Sequence, residues 1–256
     1  MTLSHFSLFT GIGGIDLAAE WAGFHTVGMC EIDEYCRKVL DKHWPDVPKW
    51  RDIGGVTAES VRESGIKSVD LVSGGFPCQP HSVIGKRCAE KDERHLWPEM
   101  VRVIRELRPT WVVGENVNGI LSTIHADVCS DMEEEGYKVR TFCVPAIAVG
   151  AHHQRYRVFV VCFSEGQSGL QAHPKPLSFG SKRQAWENPC RINRGSTPGV
   201  DWSVYKPGVF GMAYGLSSKM DRATHNQRHK ALGNAVVPQQ VYPILKAIAE
   251  IEGVSE

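Results

Sequence analysis

The residues with the most chemistry to offer lie in the stretch 69–82, Val-Asp-Leu-Val-Ser-Gly-Gly-Phe-Pro-Cys-Gln-Pro-His-Ser. Val69 to Ser73 read as a short apolar strand, and Gly74 and Gly75 break it. Cys78, between Pro77 and Gln79, then falls just past the strand's carboxyl end. In open α/β sheets ligands and chemistry gather there. Pro77 fixes one backbone angle and the glycines let the chain turn, so a thiol can be aimed rigidly at a substrate. On its own, Cys78 still reads better as a small buried hydrophobe, the usual fate of an intracellular cysteine. A second reactive group stands at the end of the next strand, where Trp111-Val112-Val113-Gly114 runs into Glu115-Asn116-Val117. A carboxyl beside a thiol can give or take a substrate proton, and partial burial raises its pKa towards that task. Helix capping by Glu115 or Asn116 explains either residue alone equally well. Arg155 and Arg157 are expected to point to the same face of a strand, because the side-chain period is two. Two guanidinium groups there suit an anion or a base carbonyl, and equally a solvated edge. His152 and His153 have no carboxylate or third ligand nearby in sequence, so no metal site is expected.

These groups need a scaffold to bring them together. Phe6 to Phe9 read as a buried strand, followed by Thr10-Gly11-Ile12-Gly13-Gly14 and a helix over Leu17–Ala22. Strand, glycine-rich turn and helix let a ligand approach backbone amides, though plain βα turns share the pattern. A second strand, Val27 to Cys30, ends at Glu31 about 20 residues on, an offset at which an acid can bind the two hydroxyls of a ribose. Because turn and acid occur together, an adenosine-type cofactor is favoured over a solvated loop carboxylate. Asp52 reads as an acceptor for an adenine amino group and, with equal weight, as an exposed turn aspartate. Helices are expected over Asp33–His43, Leu96–Leu107, Ile124–Glu135 and about Gln239–Glu250, with strands over Tyr137–Val144 and Arg157–Phe163. Residues 80–95, with Lys86, Arg87, Lys91 and Arg94, suit a positively charged lid or a solvated loop. From Ser164 to about Pro207 the chain turns polar and irregular. Lys182, Arg183, Arg191 and Arg194 are interleaved there with Phe179, Trp186 and Trp202, a mixture that suits contacts to phosphates and base edges or a disordered insertion.

Composition sets outer limits. The 256 residues are 42% hydrophobic and 23% charged, which is ordinary for a globular enzyme of one large domain with a small insertion. Lys plus Arg and Asp plus Glu both number 29, so any nucleic-acid partner must be met by a local basic face. No apolar run reaches the length of a membrane span, and the N-terminal residues lack a secretory pattern. The eight cysteines form no Cys-x-x-Cys pair, which points to a reducing cytoplasm without structural zinc.

Taken in order, the motifs resemble those of the DNA (cytosine-5)-methyltransferase family over the whole chain except roughly 164–207. Phe9-Thr10-Gly11-Ile12-Gly13-Gly14 looks like the cofactor loop, Glu31 the ribose acid and Asp52-Ile53 the adenine contact. Gly75-Phe76-Pro77-Cys78-Gln79 resembles the nucleophile loop, Glu115-Asn116-Val117 the acid motif and Arg155 with Arg157 the Arg-x-Arg pair. Gly233-Asn234-Ala235-Val236 looks like the segment that returns to close the cofactor site. The resemblance implies S-adenosyl-L-methionine as methyl donor, double-stranded DNA as substrate, no metal and no membrane. It also implies a Rossmann-like α/β fold with a mixed, mostly parallel sheet and helices on both faces. Residues 1–163 would form the catalytic and cofactor domain, 164–207 the target-recognition region and 208–256 a return to the catalytic domain. Cys78, Glu115, Arg155 and Arg157 would then be catalytic. Ile32, Pro77 and Leu96 would join the cofactor contacts. Gln79, Ser82, Lys86, Arg87 and Arg94, with Lys182, Arg183, Arg191 and Arg194, would meet DNA.

Several positions depart from the family's pattern. Ser7 stands where an acid is common, which should change local hydrogen bonding only. His81 stands where an aromatic is frequent, Ile84 where a small polar residue is frequent, and His153 where glutamine is frequent. The short recognition region resembles phage and prophage members. A monomer is expected, and a cognate restriction endonuclease is allowed as a partner. The rival readings are RNA cytosine methylation by the same site, a non-catalytic DNA-binding relative, and a nicotinamide oxidoreductase using the glycine turn, which the Gly11-x-Gly13-Gly14 spacing and the Pro-Cys loop disfavour. The Cys-Phe-Thr signature of the RNA-directed subgroup is absent, and mere binding would not require Cys78, Glu115 and the arginine pair together.

Overall fold

The computed structural model describes residues 2–77, 96–151, 153–164, 226–228 and 230–254. Strands β1 (Leu3–Leu8), β2 (Phe24–Cys30), β3 (Lys49–Trp50), β4 (Leu71–Gly74), β5 (Trp111–Val117), β6 (Tyr137–Pro145) and β7 (Tyr156–Ser164) make one sheet in the order β3-β2-β1-β4-β5-β7-β6. The first five neighbours pair in parallel, and β7 runs antiparallel to both β5 and β6. The helices are α1 (Gly14–Trp21), α2 (Glu34–His43), α3 (Ala58–Glu63), α4 (Trp97–Leu107), α5 (His125–Glu134) and α6 (Pro238–Ile251). Alternation along the strands divides the core between two faces. Val112 of β5 joins Phe6, Val72, Met100 of α4 and Val128 of α5 on one face. Trp111 and Val113 join Ile15 of α1 and Val241, Ile244 and Leu245 of α6 on the other. The expected mixed α/β sheet, mostly parallel and covered on both sides, is the one observed.

Local chemistry sets where these elements start and stop. Asp33 caps α2 by accepting from the amides of Tyr35 and Cys36. Thr57 and Ser60 form a reciprocal capping box on α3. Helix α4 ends where Arg108 turns left-handed ahead of Pro109. Strand β5 runs on through Glu115 and Asn116, so neither caps a helix. Strand order reverses beside β1, with β2 on one side and β4 on the other. Both loops of chemical interest, after β1 and after β4, therefore leave the sheet at the crevice where such folds bind ligands. Among the described residues, no helix is long and apolar enough to cross a membrane.

Beneath that crevice lies a fully buried polar group set. His5 contacts the Thr26 hydroxyl through Nδ1 (3.1 Å) and the Ser73 hydroxyl through Nε2 (2.7 Å). The Ser7 hydroxyl donates to Oδ2 of Asp16 in the first turn of α1 (3.1 Å). An acid thus still stands at the end of β1, supplied from the helix. Asp16 Oδ1 has no hydrogen-bond partner among the described residues and lies 4.0 Å from His5 Nδ1. Burial lowers the His5 pKa from 6.5 to about 3, so the ring is neutral and makes no ion pair. Burial also raises the Asp16 pKa from 3.8 to about 7.

The two shifts act on stability with opposite sign. Folded Asp16 keeps its proton to higher pH, so its contribution is full below 3.8 and lost as pH rises through about 7. His5 contributes fully above 6.5, and its share is lost as pH falls towards about 3. Replacing Asp16 by Asn removes the first slope and leaves the second. Urea unfolding should therefore show Asp16→Asn gaining stability relative to the parent between about pH 4.5 and about pH 7.5. A pH-independent difference would mean that Asp16 does not titrate in this range.

Candidate active site

Strand β1 delivers the chain into a glycine turn in which Phe9, Gly11 and Gly13 all have positive φ (52°, 59° and 85°). Thr10 anchors the turn: its amide donates to Cys30 O (3.1 Å), and its hydroxyl lies 3.2 Å from both Ser7 O and Cys30 O. Glu31, at the end of β2, accepts from the Gly11 amide through Oε2 (2.6 Å) and from the Asp33 amide through Oε1 (2.7 Å). A carboxylate has about four acceptor positions, so these two bonds leave capacity for a ligand's hydroxyls. Asp52 is exposed and accepts from the Gly54 amide (2.7 Å). The neighbouring Ile53 is buried, its carbonyl held by Arg102 of α4 (2.8 Å).

The carboxyl-terminal segment closes this corner. Val236 is buried, and its carbonyl oxygen lies 2.7 Å from where a Cβ on Gly14 would sit. Gly13 is covered by the Trp44 ring, 2.5 Å from its own Cβ position. A cavity of about 500 Å³ results, lined by Ile12, Gly13 and Gly14 on one side and by Ala235, Val236 and Arg155 on the other. His153, His43 and Trp44 also line it. Of the other expected cofactor residues, Phe9 and Leu96 are half-buried against the core. Ile32 (65% exposed), Pro77 and Asn234 face solvent.

At the ends of β4 and β5 the second half of the site assembles. Glu115 is only 7% exposed, and Arg157 Nε lies 2.6 Å from its Oε1. Burial pushes the Glu115 pKa from 4.5 up to about 7, while Arg157 and, less strongly, Arg155 pull it back. Oε2 of Glu115 lies 2.8 Å from where a Cβ on Gly75 would sit, so the turn after β4 passes directly over the carboxyl. Asn116 Nδ2 donates to Phe76 O (2.8 Å) and fastens that turn. Phe76 in turn packs on Trp97, the first residue of α4, with ring centroids 4.8 Å apart. Cys78 itself lies outside the described residues, as do Gln79, His81, Ser82, Ile84, Lys86, Arg87 and Arg94. The same holds for Lys182, Arg183, Arg191 and Arg194.

One expectation changes. Arg155 does not share a strand face with Arg157, because β7 begins at Tyr156 and Arg155 precedes it with φ 25°. Its Nη2 donates to the carbonyls of Gly233 and Ala235, both at 2.6 Å. Two roles are not legible in the sequence. Asn116 reads there as a possible cap or as part of the acid motif, and the structure makes it the tether of the Phe76 turn. Gln240, fully buried on α6, donates to Val144 O (2.7 Å) and Arg155 O (2.9 Å). A polar residue on the inward face of an otherwise apolar helix was the available signal for Gln240. Among the described residues no cluster of His, Cys, Asp and Glu could hold a metal, and the five described cysteines are free.

Comparison with known proteins gives these features a context. The model of the C-5 cytosine-specific DNA methylase family matches residues 3–193. Type II methyltransferase M.HgiCII of Herpetosiphon aurantiacus is 33% identical over 60% of this chain and 36% of its own length. Type II methyltransferase M.AquIA of Picosynechococcus is 34% identical over 60% of this chain and 69% of its own. In fold, the chain is similar to the DNMT2 of Spodoptera frugiperda (TM-score 0.56, 19% identity), covering 68% of this chain and 54% of that one. The chain spans about half the length of most curated relatives that it matches.

The Gly75 contact yields a direct test. A methyl group there meets the Glu115 carboxyl rather than a flexible apolar neighbour. Gly75→Ala should displace a buried carboxyl that is paired with Arg157, so its unfolding midpoint should fall and the Glu115 carboxyl resonance should be displaced in an NMR titration. An unchanged Glu115 titration would show that the turn does not rest on the carboxyl.

Proposed function

The chain belongs to the C-5 cytosine-specific DNA methylase family, and from that premise we propose that it transfers a methyl group from S-adenosyl-L-methionine to carbon 5 of a cytosine in double-stranded DNA. The observation that carries this reading is the docking of the Gly75–Pro77 turn on Glu115 and Asn116. It sets the residues just before Cys78 against a buried carboxyl paired with Arg157.

The residues of the glycine corner fit the methyl donor. Gly11 has φ 59° and nothing within 4 Å of its Cβ position, so the turn offers room for a ligand close to its backbone. Glu31 suits a ribose diol, and Asp52 and Ile53 suit an adenine edge. When bound, S-adenosyl-L-methionine supplies an electrophilic methyl group on a sulfonium sulfur.

Carbon 5 of cytosine is a poor nucleophile, which defines what this chain must do. Cys78, as thiolate, adds to carbon 6 and breaks the 5,6 double bond. Glu115 holds the proton at ring N3, so the displaced electron pair resides at an enamine-like carbon 5. Arg157 orients Glu115 and takes up the O2 carbonyl. After methyl transfer the carbon-5 proton leaves to a base, the double bond reforms, and the Cys78 thiolate departs. A free thiol is only a few per cent ionised near neutral pH, so the site has to favour the thiolate. The cytosine must leave the base stack, at about a few kcal/mol. Residues 79–95 would close over it and 164–207 would read the flanking sequence, with the 1–163 and 208–256 portions forming the catalytic unit. Protection of DNA alongside a restriction endonuclease, in a reducing cytoplasm and as a monomer, completes the proposal.

Bisulfite sequencing of DNA from a methylase-deficient bacterium expressing the protein should show methylated cytosines in one short context, and none with Cys78→Ala. An unmethylated genome would sink the duplex-DNA reading and make RNA the next substrate to assay. A second expectation concerns pH. The folded Glu115 loses its proton as pH rises through about 7, so kcat/KM should decline on that limb while thiolate formation raises it from the acid side. Glu115→Gln should lower kcat by roughly 10²–10⁴-fold and abolish the alkaline limb. A limb that persists in the variant would assign it to another group.

A further inference from the structure

Arg155 and Arg157 are two residues apart but serve different partners. The Arg157 guanidinium turns to Glu115. That of Arg155 turns to the carboxyl-terminal segment and donates to Gly233 O and Ala235 O. Gln240 holds the Arg155 backbone from the other side, bridging its carbonyl to that of Val144 at the end of β6. The end of β6 and the entry to β7 are thereby cross-linked to the approach to α6, about 80 residues further along the chain. The φ of 25° at Arg155 is sparsely populated for a residue with a Cβ. Such a conformation persists only where the surroundings over-determine it.

What the cross-link holds is the wall of the cavity. Ala235 and Val236 face Ile12, Gly13 and Gly14 across it, and the Val236 carbonyl presses against Gly14. A second tie, Lys230 Nζ to Asp33 Oδ2 (2.8 Å), draws the same segment towards the start of α2, where Glu31 also bonds. The Lys230 pair is exposed and weak by comparison. The Arg155 bonds are short, charge-assisted and part-buried at Ala235. They carry the closure.

We propose that Arg155 is a positioning residue of the methyl-donor site: it latches the 233–236 segment over the glycine turn and does not bind the cytosine. The inference rests on the proposed use of S-adenosyl-L-methionine. It predicts that the two arginines separate in kinetics, with Arg155 affecting donor binding and Arg157 affecting turnover.

The test measures S-adenosylhomocysteine binding by calorimetry. In parallel, kcat is measured at saturating labelled donor on unmethylated DNA from a methylase-deficient bacterium, with thermal unfolding of each variant as the folding control. Arg155→Ala should weaken binding by roughly 10- to 100-fold, the scale of a lost charge-assisted hydrogen bond, with kcat within about threefold of the parent. Arg157→Ala should bind within about twofold of the parent and lose most of its kcat. Should Arg155→Ala fail to fold, Arg155→Lys decides in its place, because a lysine cannot reproduce the guanidinium geometry. Weaker binding by that variant supports the latch, and unchanged binding overturns it. Binding at parental affinity with lost turnover in Arg155→Ala would overturn the latch alone and return Arg155 to the base. A parent protein that does not bind S-adenosylhomocysteine would overturn the cofactor reading and the latch with it.

Discussion

A carboxyl group kept out of water at the end of β5 sets the terms for its surroundings. Burial disfavours the charged form of Glu115, and Arg157 at 2.6 Å favours it. The balance leaves the group near its midpoint around neutral pH, which is where an acid can both hold and release a proton. Each neighbour follows from protecting that balance. Gly75 must lack a side chain to pass over the carboxyl, and Asn116 fixes the turn from beneath. Phe76 seals the apolar side against Trp97. Strand β7, antiparallel in an otherwise parallel run, brings Arg157 opposite Val117 at the very end of β5.

The glycine corner obeys a different constraint, that of close approach. Its three positive-φ residues bend the chain tightly, and the missing side chains at Gly11 and Gly13 let other groups come close to its backbone. Glu31 stiffens the bend by accepting from Gly11, and Asp16 and Ser7 brace the strand and helix that flank it. Because Gly14 admits the Val236 carbonyl where a Cβ would stand, a segment more than 200 residues away in the chain can complete the corner. The two halves of the site meet at the entry to β7, where Arg155 serves one and Arg157 the other.

Much of this was legible before folding. Alternation and apolar runs located the strands, and the glycine turn, the acid after β2 and the residues after β4 and β5 could be placed on one rim, because parallel strands point their carboxyl ends the same way. Boundaries were less legible. Glu115 and Asn116 resemble caps in sequence because β5 continues past Gly114 only by pairing with β7, a strand about 40 residues on. The period-two argument for Arg155 failed because it presumes an extended backbone, and Arg155 is not extended.

The sequence alone therefore determined which side chains are available and the order in which the sheet presents them, since residue type and strand periodicity are local properties. Tertiary structure decided the allegiances. Whether Arg155 meets a base or the Gly233 and Ala235 carbonyls depends on a contact spanning about 80 residues. Whether Asp16 is charged depends on the sheet that buries it beside His5. Hydrogen-bond partners and desolvation are set by what the fold brings within a few ångströms, and no local pattern encodes that distance.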